Sequence, residues 1–65
     1  MTNCYDKNGV ILSHNDLVEV TTEDIGTHEG YIRYFGKGKI KVNCLVGELW
    51  VLPNRIRLIR KINCG

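Results

Sequence analysis

From Lys39 to Cys44 the chain reads lysine, isoleucine, lysine, valine, asparagine, cysteine, an unbroken alternation of polar and apolar side chains. Successive side chains of a β-strand point to opposite faces, so this segment makes a strand with Ile40, Val42 and Cys44 inward. The same period recurs in Leu17-Val18-Glu19-Val20, where Val18 and Val20 share a face, and in Glu48 to Leu52, where Leu49 and Val51 do. From Gly30 to Phe35, Ile32 and Tyr34 alternate with Tyr31, Arg33 and Phe35. Polar or glycine-bearing breaks separate the strands: Ser13 to Asp16, Thr21 to Thr27 (read as a loop), Gly36-Lys37-Gly38 and Leu45-Val46-Gly47. Near the start, Asp6-Lys7-Asn8-Gly9 carries the Asn-Gly pair of a type I′ turn and folds residues 4 to 12 into a hairpin. Pro53 cannot donate to a ladder and ends a strand; Pro53-Asn54-Arg55 then forms a turn of 3₁₀ helix. Residues 56 to 62 close the sheet, their isoleucines favouring a strand over a rival helix across 54 to 62.

The fold class is therefore all-β, and 65 residues give one domain, residues 1–65, with a thin core. At 43% hydrophobic and 25% charged residues the composition is that of a folded protein, not a disordered one. No apolar run approaches the roughly 20 residues that cross a bilayer, and Met1 to Asp6 has neither the basic start nor the apolar stretch of a secretory signal. The expectation is a cytoplasmic chain without a membrane partner, monomeric by default. Cys4, Cys44 and Cys64 are odd in number and widely spaced, which is no disulfide framework. A Cys4–Cys64 bridge requires the termini to meet and an oxidising setting.

Five short strands with one 3₁₀ turn before the last look like the SH3-like barrel superfamily. More narrowly, Asp16-Leu17-Val18-Glu19-Val20, Gly30-Tyr31-Ile32, Val51-Leu52-Pro53 and Arg57-Leu58-Ile59 resemble KOW and Tudor-type small barrels. Asp6-Lys7-Asn8-Gly9, followed by Leu12 and Asp16-Leu17-Val18, is similar to the start of many short phage and mobile-element proteins. The KOW resemblance implies nucleic acid, or its machinery, as partner. The Tudor resemblance implies an aromatic cage, which Tyr31, Tyr34, Phe35 and Trp50 do not assemble from sequence alone. Plasmid-type dihydrofolate reductases share the barrel, but Trp50-Val51-Leu52 stands where their Gln-Ile-Tyr run precedes the proline.

Charge is unevenly placed. In residues 1 to 32, Lys7 stands against Asp6, Asp16, Glu19, Glu23, Asp24 and Glu29, a net of −5. In residues 33 to 65, Arg33, Lys37, Lys39, Lys41, Arg55, Arg57, Arg60 and Lys61 stand against Glu48, a net of +7. Such asymmetry points to an anionic partner, or to two halves that neutralise each other across the fold. The outward face of the central strands joins Tyr31, Arg33, Phe35, Lys39, Lys41 and Trp50, with Lys37 in the turn and Arg55 and Arg57 near the last strand. Rings that stack on bases, interleaved with cations that meet phosphates, suit single-stranded nucleic acid, RNA or DNA. The alternative is a host protein docked on the same face, as an adaptor or inhibitor would dock, or the rings packed beneath the 4–12 hairpin as a second small core.

Catalytic readings fare worse. Gly30 to Gly38 misses the phosphate-loop spacing by one residue and lacks its Ser or Thr. His14, His28 and the cysteines show no paired ligand spacing, and no nucleophile–base set is arguable. The expectation is a binding module with no cofactor, not an enzyme.

Overall fold

The computed structural model describes residues 4–62. Five strands, β1 (Leu17–Thr22), β2 (Gly26–Phe35), β3 (Ile40–Cys44), β4 (Gly47–Val51) and β5 (Ile56–Arg60), are joined by short turns and one 3₁₀ turn, Pro53–Arg55. All pairings are antiparallel, in one sheet of order β4-β3-β2-β1-β5. Among the described residues no ladder joins β4 to β5, so the sheet is open as hydrogen-bonded. No helix there is long and apolar enough to cross a membrane.

Alternation builds the core. Val18, Val20, Ile32, Ile40, Val42, Val51 and Ile56 project from the concave face and are buried, and Leu12 of the N-terminal segment covers them. Between β2 and β3 the backbones come so close that a Cβ on Gly30 would stand 2.5 Å from the Asn43 carbonyl oxygen. Only glycine fits there.

Two segments depart from the sequence reading. The stretch expected as a loop, Thr21 to Thr27, is mostly ladder: Thr21 faces Thr27, Thr22 faces Gly26, and the turn is only Glu23-Asp24-Ile25. Both sides of this ladder end meet solvent, so polar residues occupy it without an apolar alternation to announce it. The 4–12 hairpin forms, with Tyr5 bridging Ile11 and the Leu12 N–H donating to the Cys4 carbonyl at 2.8 Å. Its turn is not type I′, because Gly9 (φ 83°) is left-handed while Asn8 is not.

Two buried carboxylates lock this segment in place. Asp6 Oδ1 accepts the N–H groups of Asn8 and Val10, each at 2.8 Å, and Oδ2 accepts that of Leu58 at 2.9 Å. Burial opposes ionisation of Asp6, but these N–H groups outweigh it and hold the carboxyl below the usual carboxylate range. Asp16, fully buried, accepts the Ser13 N–H at 2.8 Å and the Lys61 ammonium at 2.9 Å on Oδ2. Lys61, counted among the bases of the second half, is thus a clamp that also reaches the Ile11 carbonyl at 2.8 Å. The Cys4–Cys64 bridge falls on Cys64, outside the described residues.

Candidate functional site

The convex face of β2, β3 and β4 carries a row set by register: Tyr34 lies opposite Lys41, and Lys41 opposite Trp50. Across it the Tyr34 and Trp50 rings meet edge to face, centroids 6.0 Å apart and planes at 87°. The Lys41 ammonium stands 5.8 Å from the Trp50 ring centre and 3.2 Å from a Glu48 carboxylate oxygen. The far edge of the indole rests on Gly36, where a Cβ would come within 2.7 Å of it. The turn glycine therefore sets where Trp50 lies, and the two rings keep 61% and 47% exposure.

A bulge explains how this row forms. The β2–β3 register slips between Ile32 and Tyr34, leaving Arg33 without a cross-strand partner. Beyond it every side chain changes face. Tyr34, expected inward beside Ile32, is convex. Phe35, expected on the outer face with Tyr31, is instead opposite Ile40, whose side chain is core. The correction is to its face: Phe35 shares the side of Ile40 and remains 36% exposed.

The remaining expected residues separate into two groups. Tyr31 is convex and half exposed, opposite Asn43 in the neighbouring row, and shares a shallow hollow with Leu17 and Leu45. Arg33, Lys37 and Lys39 are exposed and form no ion pair among the described residues. Arg33 borders the Tyr34–Lys41–Trp50 row. Lys39, Trp50, Leu52 and Arg55 line a second hollow beside the β1–β2 turn. Arg55 also reaches Glu23, at 3.8 Å. Arg57 lies apart from this row, on β5, held by Glu19 through two hydrogen bonds of 3.1 and 3.2 Å. Those bonds are the main cause that lowers the Glu19 carboxyl and raises the Arg57 guanidinium from their ordinary values.

These pairs decide the charge question for one side of the molecule. Asp16–Lys61, Glu19–Arg57 and Glu23–Arg55 each join an acid of the first half to a base of the second. Along β1 and β5 these acids and bases neutralise one another in part, with Arg60 and Lys7 left unpaired among the described residues, while Arg33 and Lys39 are unpaired cations beside the aromatic row. The 4–12 hairpin does not cover that row. Its hydrogen bonds reach β5 and Lys61, and Tyr31, Tyr34 and Trp50 remain open. Among the described residues no three His, Cys, Asp or Glu side chains gather as a metal site needs. Comparison with protein-family models, curated proteins and solved structures found no match for this chain.

Proposed function

We propose that this chain is a small SH3-like barrel of the KOW and Tudor type that binds single-stranded nucleic acid without catalysis. Support for the barrel comes from the strand order, which runs through β1 to set β5 beside it, and from the 3₁₀ turn that leads into β5. The binding reading rests on one observation: an exposed Tyr34–Trp50 corner bordered by Arg33 and Lys39, with Lys37 in the adjoining turn, none of them neutralised among the described residues. A base stacked on either ring gains about 1–3 kcal/mol, and three free cations suit the phosphates that flank it. A paired, stacked duplex hides the base faces these rings would engage, so single strands bind better. Arg55 stands at the margin of this surface, and Tyr31 extends it.

The chain has a single tryptophan, so its fluorescence reports on the site directly. Titration with dT and rU oligonucleotides at low salt is expected to quench Trp50 with micromolar affinity. Trp50→Ala and Tyr34→Ala, followed by a labelled oligonucleotide, are expected to weaken binding at least tenfold each. Unchanged affinity in both variants, or no binding at low salt, overturns the reading.

A further inference from the structure

The two edges of the sheet are finished differently. On the outer side of β5, the Lys7 N–H donates to the Ile56 carbonyl at 2.9 Å and Asp6 accepts the Leu58 N–H at 2.9 Å. The outer side of β4 has no ladder partner among the described residues. Edge strands are ordinarily guarded by lysine, proline, a bulge or a covering segment. Residues 45 to 52 read Leu-Val-Gly-Glu-Leu-Trp-Val-Leu, with Glu48 the one charge. Leu45 is wholly exposed, and Val46, Trp50 and Leu52 are about half exposed.

From this we infer that β4 is a pairing edge for a second copy of the chain, antiparallel about a two-fold axis at Leu49. Self-complementarity selects both occupant and register. Opposed residues of an antiparallel ladder share a face, so only registers that set inward residues against inward ones are allowed. Centring on Glu48 opposes two carboxylates. Centring on Trp50 sets Gly47 against Pro53, which has no N–H to give. Centring on Leu49 pairs all of β4: Leu49 meets Leu49 of the second copy, and Glu48 meets its Trp50. Each indole then stands between the Lys41 of its own copy and the Glu48 of the other, so charges alternate along the row. Val46 meets Leu52 of the second copy, and Leu45 beside it approaches that copy's Pro53. Leu49 already packs against the core, so the apolar layer continues across the axis.

The dimer brings Glu48 of the second copy beside the Trp50 ring, so it is measured in the absence of nucleic acid. Size-exclusion chromatography with light scattering, from about 5 μM to 1 mM, is expected to show mass rising from 7.4 kDa toward twice that value. Leu45→Lys with Val46→Lys, both on the exposed turn, is expected to raise the dimer dissociation constant at least tenfold with an unchanged melting curve. Amide exchange keeps the question decidable if that variant folds poorly. In the wild type, amides of residues 47–51 gain protection as concentration rises while those of 56–60 do not. A mass of 7.4 kDa throughout, equal dimerisation by the double variant at unchanged stability, or concentration-dependent protection on β5 instead, overturns the inference.

Discussion

The two flanks of this sheet use the same residue types for opposite ends. Along β1 and β5, acids and bases answer one another: Glu19 holds Arg57, buried Asp16 holds Lys61, and Asp6 ties the N-terminal segment to the β5 edge. Along β2, β3 and β4, cations and rings are left facing water, with Lys41 alone bound to an acid, Glu48. The lesson is that counting basic residues is a poor guide to a site. Arg57 and Lys61 are tied to acids, whereas Arg33, Lys37 and Lys39 form no ion pair among the described residues.

The comparison breaks most visibly at Asp6. Asp6→Ala leaves the Leu58 N–H without its acceptor and frees the hairpin from β5, at a cost of about 3 kcal/mol. A chain this size has about 3–10 kcal/mol of stability in all, so its urea midpoint falls sharply. No substitution on the aromatic row should approach that loss.

Two glycines test the contrast next. Gly30→Ala drives a methyl into the Asn43 backbone carbonyl and is expected to destabilise by about 2 kcal/mol. Gly36→Ala meets only the movable tip of the Trp50 indole, so stability changes by less than about 0.5 kcal/mol. Its effect appears instead as a shifted Trp50 emission maximum and weaker oligonucleotide binding. If Gly36→Ala leaves the Trp50 emission maximum unchanged, the indole is not seated on Gly36.

Acid acts on the closed flank first. The Asp6 and Glu19 carboxyls titrate lower in the folded chain than in the unfolded one. Their contribution is complete above the unfolded values, near 4 to 4.5, and is lost as pH falls through the folded ones. Stability measured between pH 6 and pH 2.5 should drop below about pH 4.5, and Asp6→Asn should flatten that drop.

Most of the architecture was legible because alternation is a direct consequence of strand geometry. Ile40, Val42, Leu49, Val51, Val18 and Val20 all fall where the period of two puts them. Two kinds of information were not local. The bulge at Arg33 transposes Tyr34 and Phe35, and a single extra residue in a ladder exists only relative to the partner strand. The distant partners of Asp6 and Asp16, Leu58 and Lys61, lie 52 and 45 residues away, so both acids read simply as turn residues. Of the nine residues expected at a site, the structure sets Lys41 and Trp50 in one row with Tyr34, and places Phe35 on the other face and Arg57 on β5. Residues 21 to 27 were hidden for another reason, because a ladder wet on both sides has no reason to alternate.

The smallest effect is also the most direct test of the open flank. Three cations meeting a single strand give a slope of log affinity against log salt of about −2, or roughly fifteenfold between 50 and 200 mM. Measured by Trp50 quenching with a dT oligonucleotide, Lys37→Ala with Lys39→Ala should reduce that slope to about −0.7, whereas Arg57→Ala should leave it near −2. A slope that Arg57→Ala flattens and the double variant preserves would contradict the division of charge between the two flanks.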